Sequence, residues 1–161
     1  NKVRIAKEFT KFNERCFLRL LGDMRSVNYV VDITPDFEEV QYRVRPIDFD
    51  QQSYEGNSKT YMAYRYQSNR SVTRLAFGEL NRKVIDQYVE EERAQMSRRA
   101  RAEIRRLTAL MRSMRHETLA PEENVDRLRD ELNRIHDTAA FGPCRTMGDL
   151  TATHLQLMLG A

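Results

Sequence analysis

The hydrophobic period of this chain changes twice, and that limits its fold more than any single motif does. Between Val3 and Leu20 the residues Phe9, Phe12, Cys16, Phe17 and Leu20 recur at spacings of three and four. That is one face of a helix, expected over 2–20 and ended by Gly22. From Asn28 to Phe49 the period falls to two. Asn28-Tyr29-Val30-Val31-Asp32-Ile33 is rich in β-branched and aromatic types, and Val40, Tyr42 and Val44 alternate with Gln41, Arg43 and Arg45. Thr34-Pro35-Asp36 between them is turn chemistry. The pattern predicts a β-hairpin with strands at about 29–33 and 40–48 and a loop of about five or six residues.

The helical period then returns. Ile85, Val89, Met96, Ala100, Ile104, Leu107, Met111 and Met114 form one stripe over residues 82–114. Unbroken, such a helix would be about 50 Å long; a break near Ser97 is the alternative. Eight arginines between Arg93 and Arg115 lie almost entirely off the stripe, which predicts a packing helix with a solvated basic face. Pro121-Glu122-Glu123 opens a further helix carrying Val125, Leu128, Leu132 and Ile135, and Thr146 caps a last one ending near Leu159, before Gly160. Residues 51–72 show no period and read as a long loop with a short helix near 60–66. The expected fold is a single α+β domain, mainly helical, with one β-hairpin.

Composition narrows the function classes. The formal charge is +3 over 161 residues, far from the bulk charge of a nucleic-acid binder. Glu91, Glu92 and Glu103 interleave with the arginines and no stacking aromatics accompany them, so nucleic acid is not the expected partner. No apolar run approaches the roughly 20 residues of a membrane span. Cys16 and Cys144 stand alone and read as reduced core thiols of a cytoplasmic protein. His116, His136 and His154 lack partners at ligand spacing, so no zinc site is expected. No Ser-His-Asp or Cys-His arrangement can be assembled.

One stretch remains, LLGDMRSVNYVVDITPDFEEVQYRVRPIDFDQQ, residues 20–52. It places Gly22-Asp23 after a helix, Asn28 five residues beyond Asp23, and Ile47-Asp48-Phe49-Asp50 at the end of the returning strand. This layout resembles the catalytic-loop, C-terminal lobe of the protein-kinase-like fold, closest to the small-molecule kinases of the aminoglycoside and choline kinase type. The resemblance covers about residues 5–52. It implies an ATP-dependent phosphotransferase in which Asp23 is the catalytic residue that orients the acceptor hydroxyl. Asn28 and Asp48 would be ligands of Mg²⁺, with Asp50 as an extra carboxylate; hard oxygen ligands suit that ion. The implied partners are a nucleotide and a phosphate acceptor.

The chain departs from the family in three ways. Leu21 stands where the family has His, Asp50 stands where protein kinases have Gly, and no Gly-rich phosphate loop occurs anywhere. The chain is therefore expected to be a piece of a longer protein, lacking the N-terminal nucleotide-binding lobe, and inactive by itself. The alternative is a non-catalytic helical interaction module, or a kinase-like relic that binds a partner.

Overall fold

The computed structural model describes residues 1–160. Helix α1, Lys2–Leu18, is followed by a single antiparallel hairpin of β1, Tyr29–Asp36, and β2, Glu39–Pro46. Three single turns of 3-10 helix between Ser58 and Asn69 lead into α2, Arg70–Glu79. Then come α3, Arg82–Ala102, α4, Ile104–Met114, α5, Glu122–Ile135, and α6, Met147–Leu159. The α+β, mainly helical architecture agrees with the periodicity of the sequence.

α1 is the central element because both of its flanks are apolar. Ala6, Phe9, Phe12 and Cys16 join Val44 of β2, Ala76 of α2 and Leu80 in one core cluster. Leu20, just past the helix, joins Val125, Leu128 and Leu132 of α5, Phe141, and Leu150 of α6 in a second. The end of α1 is not at Gly22. Leu20 adopts φ 49°, its N–H donates to the Phe17 carbonyl (3.2 Å), and the Leu21 N–H donates to the Cys16 carbonyl (2.9 Å). These are the two bonds of a Schellman cap, with leucine where glycine is usual. A left-handed leucine costs about 1–2 kcal/mol. Full burial of the Leu20 side chain returns about 1.5–3 kcal/mol, so packing wins over local strain.

The hairpin departs from the expected loop length. Asp36 pairs with Glu39, so the turn is only Phe37-Glu38, with Phe37 at φ 52°. Pro35 lies inside β1, opposite Val40. A proline is tolerated there because each strand of a two-stranded sheet is an edge strand.

The long stripe also differs from expectation. The break falls at Glu103 (φ −110°, ψ 26°), not at Ser97. The fully buried residues of α3 are Glu92 and Ser97 rather than the apolar stripe, and α4 buries none of its residues completely. Ile104 is exposed, and Leu107 and Met111 are half-buried. The start of α3 packs Val84, Ile85 and Tyr88 against the core cluster of α1, and farther along the two helices meet through charge. Arg93 Nε donates to Glu14 Oε1 (2.6 Å), and Arg15 lies between Glu8 (2.6 Å) and Glu92 (3.5 Å). Burial pushes the Glu14 carboxyl above its usual range despite Arg93. The arginines of α3 and α4 face solvent, as the interleaved pattern predicts; only Arg93 is partly covered.

Candidate functional site

The segment after α1 and the segment after β2 run side by side. Leu21 forms a bridge with Gln52, Gly22 N–H donates to the Gln51 carbonyl (3.0 Å), and Ser53 N–H donates to the Leu20 carbonyl (2.8 Å). At the hairpin base, Ile47 N–H donates to the Asn28 carbonyl (3.0 Å). Residues 20–28 and 47–53 therefore form one continuous mouth at the open end of the hairpin. A Cβ on Gly22 would lie 3.1 Å from the Gln51 carbonyl oxygen, a tight contact that would push the two segments slightly apart.

Asp23 sits on this mouth with φ 56°, a conformation that costs an L-residue of this kind about 1–3 kcal/mol and is concentrated at functional sites. Leu20 and Ser53 beside it are also left-handed. The Asp23 N–H donates to the Tyr66 hydroxyl (3.0 Å). Its carboxylate holds Arg25 in a two-point contact, 2.7 Å from Nε to Oδ1 and 3.2 Å from Nη2 to Oδ2.

Asn28 is buried and touches Asp23 directly. Its Nδ2 donates to the Asp23 carbonyl (2.7 Å) and to Asp23 Oδ2 (3.2 Å). The amide nitrogen is thus committed, while Oδ1 accepts no hydrogen bond from the protein and is not sealed from solvent. Asp48 follows Ile47, whose N–H is the one bound to Asn28. Its Oδ1 accepts the Asp50 N–H (3.0 Å) in an Asx turn, and it pairs with no arginine; Arg45 turns instead to Asp32 (3.0 Å). Asp50 is exposed.

The structure thus brings Asp23 and Asn28 into contact and sets Asp48 one residue beyond a backbone bond to Asn28. The available oxygens, Asn28 Oδ1 and Asp48 Oδ2, are hard donors of the type Mg²⁺ takes. Among the described residues no three His, Cys, Asp or Glu side chains converge as a metal-binding group.

A second cluster was not visible in the sequence. His136 and His154 lie Nε2 to Nε2 at 3.0 Å, although they are 18 residues apart. His154 is fully buried and its Nδ1 is 3.2 Å from the Leu18 carbonyl at the end of α1. A carbonyl only accepts, so Nδ1 carries the hydrogen, Nε2 of the neutral ring is bare, and His136 Nε2–H donates to it. Burial, then the neighbouring His136, push the His154 imidazole down to about 3. Burial and the charge of Arg93 also lower His136. With one proton already between the nitrogens and a guanidinium nearby, the pair is a structural clasp joining α1, α5 and α6. The sequence held no signal for it beyond the two histidines.

No helix is long and apolar enough to cross a membrane among the described residues. No family model, no curated protein and no solved structure matches this chain.

Proposed function

We propose that this chain is the catalytic-loop portion of a kinase-like phosphotransferase. One observation carries the reading: Asn28 gives its amide hydrogens to Asp23 and leaves its carbonyl oxygen free, beside a backbone bond that brings Asp48 to the same mouth. The solvent-accessible Oδ1 is thus open to a ligand from outside the chain, while Nδ2 keeps Asn28 in place. Asp23, held by Asn28, Arg25 and Tyr66, would orient an acceptor hydroxyl and take its proton. Asn28 Oδ1 and Asp48 Oδ2 are the groups that would hold Mg²⁺. When bound with nucleotide, that ion neutralises phosphate charge and leaves the protein chiefly a positioning task. One carboxylate and one amide hold Mg²⁺ weakly, because the ion keeps most of its waters and relies on substrate phosphates. The phosphate loop and its lysine would come from a nucleotide-binding lobe in a longer protein.

The test is calorimetric titration of Mg-ATP into this chain and into a longer chain carrying such a lobe, followed by a transfer assay on the latter. Weak binding here, a large gain in the longer chain, loss of that gain in Asp48→Ala, and retained binding without transfer in Asp23→Ala are expected. Equal affinity in the two chains, or full transfer by the Asp23→Ala protein, would make the stretch a structural hairpin.

A second reading is favoured by α4, whose apolar side is incompletely covered: Ile104 is 49% and Leu110 55% exposed. A helical interaction module would use that surface, and retention of all binding properties in a protein lacking Asp23 and Asp48 would favour it.

A further inference from the structure

Beneath the base of the hairpin lies a cavity of about 570 Å³, walled by β2, the second half of α3, the start of α4 and the end of α6. Its size is that of a small-molecule pocket. Asp23, Asn28 and Asp48 do not line it, so a ligand bound here is independent of the phosphotransfer reading. The floor is apolar: Met96, Leu107, Leu155 and Leu159. The rim is cationic.

Arg15 is the innermost cation, with its side chain 7% exposed. Nη2 donates to Glu8 (2.6 Å) and to the Val44 carbonyl (3.1 Å). Nη1 is sealed from solvent and has no hydrogen-bond partner, with Glu92 Oε1 no closer than 3.5 Å. Arg19 is half-buried, forms no ion pair, and lies 5.8 Å from the centre of the Phe49 ring. Burial lowers its pKa from the usual arginine value. Arg43 and Arg99 complete the rim without carboxylate partners. Arg45 is already bound to Asp32. The opposing charge on the rim is Glu103 alone. A desolvated guanidinium without a counterion is costly, and so is a buried donor with no acceptor. An anion that enters the cavity supplies Arg19 with the counterion it lacks and removes the first of these costs. An inorganic ion would satisfy the rim but leave the apolar floor wet.

We propose that this cavity binds an amphipathic organic anion: a phosphate or carboxylate head against Arg19, Arg43 and Arg99, and an apolar tail or ring over Met96, Leu107, Leu155 and Leu159. Guanidinium groups match both kinds of head through paired N–H donors. Phe49, with Arg19 over its ring, lines the same cavity.

The test uses octyl phosphate and octanoate, each below its micelle concentration, with inorganic phosphate and neutral octyl glucoside as comparisons. Binding is read by calorimetry and by the methyl resonance of Met96. Saturable binding of one octyl phosphate or octanoate per chain is expected; the tighter of the two identifies the head. Inorganic phosphate should bind at least about tenfold more weakly, which is roughly 1.4 kcal/mol. The double variant Arg43→Gln/Arg99→Gln, which alters only exposed side chains, should lose about tenfold in affinity. Arg105→Gln/Arg106→Gln, an equal loss of charge away from the cavity, should change little. An equal loss in both double variants, octyl glucoside binding as well as the anions, or no saturable binding would overturn the proposal.

Discussion

His136 and His154 share one proton across 3.0 Å, and that proton ties the end of α5 to α6 and, through the Leu18 carbonyl, to the end of α1. Charging His154 puts a hydrogen on its Nε2 and removes the acceptor, and charging both rings sets two cations together. The unfolded chain takes up protons on both histidines below about pH 6.5. In the folded chain His154 stays neutral down to about 3. The unfolded state therefore binds more protons as pH falls, and stability falls with it, with none of this loss present at pH 7 and above. Between pH 7 and pH 5 urea unfolding should show a loss of about 2 kcal/mol from His154. The His154→Gln protein, less stable at pH 7, should show a flatter profile over that range. A wild-type stability unchanged from pH 7 to pH 5 would contradict the clasp.

Glu8 joins two elements with one oxygen. Oε1 accepts from Arg15 Nη2 (2.6 Å) and from the Val44 N–H of β2 (2.9 Å), so the edge of the hairpin docks on α1 through it. Glu8→Ala leaves Arg15 buried with only the more distant Glu92. Breaking one side of a buried ion pair costs about 3–5 kcal/mol, and a loss of that order is expected on urea unfolding. Hydrogen exchange at the Val44 amide should quicken before that of α5. Uniformly faster exchange throughout the chain would mean that Glu8 acts on global stability rather than on hairpin docking.

α4 buries no residue completely, so its position depends on contact with α6 at a glycine. A Cβ on Gly148 would fall 2.3 Å from the Met114 carbonyl carbon and 2.4 Å from its oxygen. Backbone cannot yield as a flexible side chain does. Gly148→Ala should cost about 2–3 kcal/mol by overpacking, with loss of exchange protection concentrated in α4 and the start of α6. Unchanged protection in α4 would show that the two helices separate without penalty.

These three relationships differ in how legible they were. The helices α1 and α5 and the hairpin were readable because each has an apolar face, and a face is a local pattern; α6 was readable from its ends. Thr146 and Gly160 are found at the two ends of α6 as their chemistry suggests. Pro35 misled, since proline signals a turn but is also tolerated in an edge strand. α2 was missed because it is short and its buried contact is one residue, Ala76. The charged contact between α1 and α3 inverted the expectation for the long stripe: Glu92 is more buried than Ile85, because Arg15 and Arg93 come from different elements to meet the acids. Nothing local encodes such a meeting, nor that of His136 with His154. In the candidate site, the spacing of Asp23, Asn28 and Asp48 was visible; the division of labour within Asn28 was not.

That division gives the last prediction. Asn28 Nδ2 faces two oxygens of Asp23, the carbonyl at 2.7 Å and the carboxylate at 3.2 Å. Asn28→Ala removes these bonds and should cost about 1–3 kcal/mol, hydrogen bonds to charged groups lying at the upper end. Asn28→Asp replaces the donor with a carboxylate held against another carboxylate. In chelator it should therefore be less stable than the alanine variant, the added repulsion coming on top of the lost bonds. Divalent cation distinguishes the phosphotransfer reading from a structural turn. If the mouth is a cation site, excess Mg²⁺ should raise the stability of Asn28→Asp above that of Asn28→Ala, because an ion that binds only the folded state stabilises it by mass action. The same addition should leave Asn28→Ala nearly unchanged. Thermal unfolding of the two proteins with chelator and with Mg²⁺, at matched ionic strength, measures this directly. If Mg²⁺ shifts both variants equally, the ion acts on the chain's surface charge and Asn28 is a turn residue alone.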